Sequence, residues 1–509
     1  MHRFYDPIPT TIAFCALAAG CATVDPKPDY DRTARHIQAA TGQALLYRPG
    51  DDGDAAQRVA QLLGGGLTTD EAAEICLLNN PRLQASLWRI GMAQAEVVQA
   101  GLLSNPSLAL SVRLPEAGGL ANLEASLAQN IAELWRIPAR ERAAQRDLDQ
   151  TILSIAREAS VLAADAKAAY VAASAADRLD EIAQRNVEIV QQLVDASRAR
   201  EEAGAGTEVD VNLTRSELLD AQVARHRTTL ARFEARRKLA DLLGLVSDPA
   251  ELQLVEPLPD PHEWAVTPEH LLAMAAASRL DIQAATSATQ SASARVREER
   301  ASVFRNIELG IGFERGERGA GKDRNLLAQT ALASAEAGAL TLPPFSPVED
   351  DEPDYILGPT LGLELPIFDQ NQAQIARAEF AYRQAVQLLD AIVREVTQET
   401  RAVHERARAA WAIARTYRAD VLPLREQNLE LSREAYRAGR VSLLSVLESQ
   451  RSLLAARSGY AEALRDSALT LSELERVVGR PIEAILYPEP PDEAIPNPPQ
   501  KGNTGGGQP

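Results

Sequence analysis

Gly204-Ala205-Gly206-Thr207-Glu208-Val209-Asp210-Val211 has a counterpart far along the chain in Gly439-Arg440-Val441-Ser442-Leu443-Leu444-Ser445-Val446. Gly204, Thr207, Val209 and Val211 answer Gly439, Ser442, Leu444 and Val446 in step. Working outward, Arg82-Leu83-Gln84-Ala85 is answered by Asp281-Ile282-Gln283-Ala284. The separation between partners is 199 at Arg82 (281 − 82) and 235 at Gly204 (439 − 204), because a Gly-, Pro- and acid-rich loop at 316–354 lengthens one connection of the second copy. Allowing for that loop, the chain reads twice as a helix, a pair of alternating strands and a very long helical hairpin. Repetition of a unit this large predicts a pseudo-symmetric wall rather than an enzyme cleft.

The 509 residues therefore predict one elongated body rather than several separate domains. A net charge of −18 with no basic stripe excludes nucleic acid as a partner. At the start, Arg3 precedes a mostly apolar run from Ile8 to Ala19, too short to span a bilayer and matching a signal segment. It ends in Leu17-Ala18-Ala19-Gly20-Cys21, which resembles the bacterial lipoprotein signal. That resemblance implies removal of 1–20, lipidation of Cys21 and a lipidated segment over 21–66; an ordinary secretory signal with a chance cysteine is the alternative. Ala22, where Asp would imply inner-membrane retention, points to the outer membrane. Cys76 would then be the one unmodified cysteine, so a disulfide framework or cysteine zinc site is excluded within one chain. No other stretch is apolar for long enough to cross a membrane as a helix. Any crossing must use strands.

Four segments alternate with period two, at about 105–114, 121–130, 306–315 and 355–366. Leu108, Leu110, Val112 and Leu114 share one face of the first; Leu123, Ala125 and Leu127 share one face of the second. Ile307, Leu309, Ile311 and Phe313 follow in the third, and Leu357, Leu361, Leu363 and Leu365 in the fourth. Their lengths suit tilted membrane strands, although two soluble hairpins packed on a helix would show the same period. Four strands cannot close a barrel and open edges are not tolerated in lipid, so insertion requires oligomers; three copies would supply twelve strands.

Between Pro138 and Pro249 there is no proline, and 139–200 also lacks glycine. A helix of ~60 residues, roughly 90 Å long, is expected there, with a shorter return helix to Gly244. Helices are also expected over about 68–103 and 371–438, with a turn at Gly439 and a return helix to about Val478; Pro423 should kink or loosen the helix over 371–438.

Several segments match a known family. They are Asn79-Asn80-Pro81-Arg82-Leu83, Ala100-Gly101-Leu102-Leu103-Ser104-Asn105-Pro106, Leu365-Pro366-Ile367-Phe368-Asp369-Gln370-Asn371-Gln372, and Tyr436-Arg437-Ala438-Gly439 with Ser442. In order and spacing, from about Leu67 to Ile482, the chain resembles the outer-membrane efflux family typified by TolC, nearest the lipoprotein branch that serves heavy-metal pumps. The resemblance implies a mainly α fold with a membrane β-barrel: a homotrimer whose 12-stranded barrel continues as an α-helical periplasmic tunnel. It implies a periplasmic adaptor (membrane fusion protein), an RND-type inner-membrane pump reached through it, and outer-membrane lipid as partners. It implies no catalysis and no cofactor. The repeats are expected at 67–248 and 267–482, joined by a connector at 249–266, with a disordered tail over 483–509.

At the first hairpin tip Glu201, Glu202, Glu208 and Asp210 crowd around Gly204, where they would either form an acidic periplasmic entrance or simply solvate a turn. Gly204, Gly439 and Ser442 mark the two tips as adaptor contacts, or as helix terminators only. Arg113, Glu124, Glu308, Glu314 and Glu364 lie on polar strand faces and should point into the lumen, since lipid-facing charges are costly. The six histidines include no close metal-ligand pair, three methionines make no thioether relay, and Gly204-Ala205-Gly206-Thr207 lacks the lysine of a P-loop. Trp135 suits either a membrane interface or a core. The leading function is a passive export duct for small solutes, heavy-metal cations among them; a type I protein-secretion duct and a periplasmic adaptor or coiled-coil scaffold are the alternatives.

Overall fold

The structure is a computed structural model, and it describes residues 22–486 apart from 45–46, 51, 115–120, 262–265, 318–325 and 343–352. Cys21 and the tail beyond 486 lie outside the described residues. In chain order the elements are α1 (Lys27–Thr41), α2 (Asp52–Gly64), α3 (Thr69–Asn79), α4 (Pro81–Gly101), β1 (Ser107–Arg113), β2 (Asn122–Asn130), α5 (Glu133–Glu202) and α6 (Glu208–Leu242). There follow α7 (Pro268–Ser278), α8 (Leu280–Ala301), β3 (Ile307–Glu317), α9 (Leu326–Ala337), β4 (Pro353–Leu363), α10 (Gln372–Thr416), α11 (Leu422–Arg437), α12 (Leu443–Val478) and α13 (Ile482–Leu486).

Two compact units are distinguished, one of Met1–Ala95, Asp147–Thr289 and Ala385–Pro509, the other of Glu96–Arg146 and Gln290–Gln384. The first is helical. On α5, Ala156, Ala159, Ala163, Ala166, Tyr170 and Ala173 are all buried at alternating spacings of three and four, the face of a helix that neighbours approach closely. Tyr170 uses its ring in this core and its hydroxyl at the edge, donating to the Leu67 carbonyl (2.8 Å) and accepting from the Glu256 amide (3.0 Å). A second cluster joins Leu271, Val403, Leu474, Val477, Val478 and Ile485. Ion pairs stitch the same helices. Lys167, on α5, lies 3.0 Å from Glu475 of α12 and 3.0 Å from Asp70 of α3. Arg279 bridges Asp281 and Glu399, and Arg157 donates to the Arg476 carbonyl.

Several sequence expectations need correction. The single helix expected over 68–103 is two, because Asn80 takes extended geometry (ψ 117) as the residue before Pro81 and its side chain caps the new helix at Arg82 and Leu83. The same break recurs without proline at Arg279 (ψ 116), between α7 and α8. The long helix begins before Pro138 rather than after it and runs 70 residues. The helix expected over 371–438 rewinds to π geometry at Tyr417–Val421, directly ahead of Pro423, whose missing N–H disturbs the regular ladder. The loop at 316–354 holds the helix α9, and the segment 21–66 holds α1 and α2.

The second unit carries one antiparallel sheet in the order β1-β2-β3-β4. The hairpins β1-β2 and β3-β4 are joined through β2 and β3, which pair across Leu123↔Arg315 to Asn130↔Glu308. Asn371 turns the chain from the sheet into α10 with a positive φ of 61, a conformation asparagine tolerates better than most side chains. Its buried amide donates to the Glu299 carbonyl and carboxylate, both at 2.7 Å.

Candidate membrane sheet and hairpin tips

Register sorts the four strands into two faces. One carries the rows Leu108–Leu127–Ile311–Pro359 and Leu110–Ala125–Phe313–Leu357, the next row being Val112–Leu123–Arg315–Tyr355. Apart from Arg315 at one end these side chains are mainly apolar, and several are exposed: Leu108 retains 75% of its surface, Leu110 68% and Leu357 73%. A contiguous apolar sheet face left in solvent marks a surface made for another apolar phase.

The opposite face carries Ser107–Ala128–Gly310–Thr360, Ala109–Ser126–Gly312–Gly358 and Ser111–Glu124–Glu314–Ile356. It is small and polar. A Cβ on Gly310 would sit 2.5 Å from the Leu127 carbonyl oxygen, so glycine there lets the strands approach and curl toward this side. Glu124 and Glu314 are direct cross-strand neighbours, and Arg113 places its guanidinium 3.1 Å from Glu124, offsetting part of their repulsion. Glu308 pairs with Gly362 in register, exposed at the other end of β3. Glu364 lies one residue past β4, its amide donating to the Asn306 carbonyl (3.2 Å). The five charged residues thus occur at two levels, with Arg113, Glu124 and Glu314 together and Glu308 and Glu364 apart from them.

The helical hairpins end in two turns of the same construction. At the first, Gly204 has φ 69, its amide donates to the Glu201 carbonyl (2.9 Å) and the Ala205 amide donates to Arg200 (2.8 Å). At the second, Gly439 also has φ 69, with Gly439 to Tyr436 at 2.9 Å and Arg440 to Ala435 at 2.8 Å. Both close the last helical turn through a left-handed residue that only glycine adopts without strain.

Glu201, Glu202 and Glu208 are exposed at the first tip. Asp210 instead caps its own helix, accepting from the Thr207 amide while Thr207 accepts from the Asp210 amide, each at 3.2 Å, a reciprocal arrangement at the start of α6. Ser442 precedes α12 in extended geometry without such a side-chain bond. The two tips meet where the Arg200 guanidinium lies 5.1 Å from the Tyr436 ring centre. Nothing in the sequence pattern pointed to that contact, although both residues stand within four positions of the tip glycines. Trp135 is exposed.

Among the described residues no group of histidine, cysteine and carboxylate side chains could hold a metal ion, and no helix is long and apolar enough to cross a membrane. Cys76 is buried, and burial pushes its thiol up to about 12.

The family model described as outer membrane efflux protein matches residues 73–245 and 271–480. The pyoverdine export outer membrane protein OpmQ of Pseudomonas putida is 26% identical, over 80% of this chain and 84% of its own. The cobalt-zinc-cadmium resistance protein CzcC of Cupriavidus metallidurans is 24% identical, over 82% and 91%. Among solved structures, the outer-membrane channel OprN shares the fold with a TM-score of 0.62 at 17% identity, over 87% of this chain and 96% of that one.

Proposed function

The chain belongs to the outer membrane efflux protein family, and from that premise we propose that it is the passive outer-membrane duct of a tripartite export system. The observation that carries the reading is the sheet: one exposed apolar face, one small polar face, and two edge strands. Because β1 and β4 run in opposite directions, β4 of one copy can pair antiparallel with β1 of the next. Three copies close a 12-stranded barrel with the apolar face toward lipid and Arg113, Glu124, Glu308, Glu314 and Glu364 toward the lumen. An exposed heptad stripe on α6, made of Val209, Leu219, Val223, Leu230 and Phe233, supplies a seam for helix packing between copies.

In this reading the repeats are 67–248 and 267–482, the helices form the periplasmic tunnel, and Cys21 carries the lipid anchor. Gly204, Gly439 and Ser442 present the tips to a periplasmic adaptor and, through it, to an inner-membrane pump. Glu201, Glu202 and Glu208, repeated threefold with Asp210, surround the entrance with negative charge that favours cations. Small solutes are the cargo, with heavy-metal cations favoured by that charge and by the likeness to a cobalt-zinc-cadmium resistance protein. The duct itself catalyses nothing, and energy comes from the pump.

The test is conductance of the purified, lipidated protein in a planar bilayer, with its mass measured in the same detergent. A trimer with discrete channels is expected. A monomer that never conducts would overturn the barrel and favour a scaffold.

A further inference from the structure

Within the acid-rich insert between β3 and β4, the helix α9 and the turn after it, through Leu342, form an almost uncharged stretch. Across 326–342 the single charged side chain is Glu336. Ala331, Leu332 and Ala335 are exposed on the helix, and Leu340 and Leu342 are exposed beyond it, Leu340 keeping 90% of its surface. Part of the backbone polarity in the same stretch is satisfied internally. Gly338 turns the chain at φ 68, the Thr341 amide donates to the Ser334 hydroxyl (3.0 Å), and that hydroxyl donates to the Thr341 carbonyl (3.3 Å). The apolar side chains therefore project from a segment that has already met part of its own hydrogen-bonding demand, a precondition for contact with hydrocarbon.

The place of the insert in the sheet supplies the partner. It leaves β3 after Glu317 and rejoins β4 at Pro353, the sheet end that also carries the β1-β2 connection and that is opposite the strand ends leading into α5 and α10. On the apolar face at this end stand Tyr355 and Arg315 in register, with the Phe313 and Tyr355 rings 6.2 Å apart. Aromatic rings with an arginine at the end of an apolar band are the composition of a lipid–water boundary. We infer that α9 and the turn through Leu342 seat Leu332, Leu340 and Leu342 in the outer leaflet beside the sheet, as a lateral anchor in lipid. The inference rests on the sheet being the membrane wall. A helix held over the aqueous mouth would leave these leucines in water, whereas one laid against the leaflet continues the apolar face of β3 and β4.

Nitroxide labels at Leu332→Cys, Leu340→Cys and, on the sheet face, Leu110→Cys test this in the full chain reconstituted in phosphatidylcholine vesicles, with the unsubstituted protein as labelling background. All three labels are expected to be relaxed more by oxygen, which partitions into lipid, than by a water-soluble nickel chelate. If 110 shows this while 332 and 340 favour the chelate, the anchor is refuted and the wall stands. Strong dipolar broadening among copies at 332 would also refute it, because the helices would then converge over the mouth. If 110 itself favours the chelate, the wall fails and the anchor fails with it.

Discussion

Replacing Lys167 by methionine removes the cation from an enclosed ion pair of the helical unit. Lys167 and Glu475 each keep only 9% of their side-chain surface, at 3.0 Å from one another, while Asp70, the lysine's second partner, keeps 63%. Burial disfavours the lysine's charge, but the two carboxylates outweigh it and hold its pKa above the ordinary lysine value. In Lys167→Met the Glu475 carboxylate stays enclosed with the Ile482 amide as its remaining donor (2.9 Å). An uncompensated buried charge of this kind costs about 3–5 kcal/mol. Glu475→Gln should cost less, about 2 kcal/mol, because Lys167 still reaches Asp70 and water beyond it. Lys167→Met/Glu475→Leu discards both charges and should lie within about 2 kcal/mol of the unsubstituted protein. Guanidinium unfolding in detergent, followed by helical ellipticity, closes this double-mutant cycle. A loss below about 1 kcal/mol in Lys167→Met, or a double variant weaker than either single one, would show that Glu475 is not an enclosed charge that depends on Lys167.

Asp281 predicts a pH effect: burial raises its carboxyl, but its bonds to Arg279, with Arg157 behind, outweigh burial and hold it below the ordinary 3.8. A depressed carboxylate contributes stability above its unfolded pKa and loses it as pH falls through the folded value. Asp281→Asn should therefore flatten the acid limb of melting temperature against pH below about pH 4. Thr207→Ala removes the reciprocal cap and should cost about 1 kcal/mol, read as faster amide exchange in the first turn of α6 with the rest of the helix unchanged. If the apolar sheet face meets lipid as proposed, Leu110→Arg puts a charge there at about 2–4 kcal/mol and should lower the yield of inserted trimer. Ser111→Arg, one residue along and on the other face, should leave yield unchanged and shift bilayer conductance toward anions.

The sequence reveals strands and tips more readily than helix interruptions. Alternation of Leu108, Leu110 and Val112 with serine and alanine is a local signal that needs no tertiary information, and glycine at a left-handed turn is nearly obligatory. The break at Asn80 was written in Asn80-Pro81, where proline bars helical geometry from the residue before it. The equivalent break at Arg279 has no such residue and is sustained by tertiary bonds, Arg279 donating to the Val477 carbonyl (2.9 Å) and to Asp281. The charged residues of the sheet were legible by face but not by grouping, since the closeness of Arg113, Glu124 and Glu314 depends on the register of strands far apart in the chain. The contact of Arg200 with Tyr436 was hidden for the same reason. Asp210 looked like one more acid of the tip until the Thr207 cap gave it a specific bond.

The two unpaired edges of the four-stranded sheet also bear on the life of a newly made copy. Before assembly, one chain offers two rows of strand amides and carbonyls beside a surface suited to oil, features that will join any extended partner within reach. In the three-copy barrel proposed above, ring closure and aggregation begin with the same step, pairing of β4 with a second chain. They diverge only when a third copy returns to the first β1 and leaves no edge. The yield of working assemblies should thus follow a contest of rates, set by how many copies meet at the membrane before a free edge meets something else.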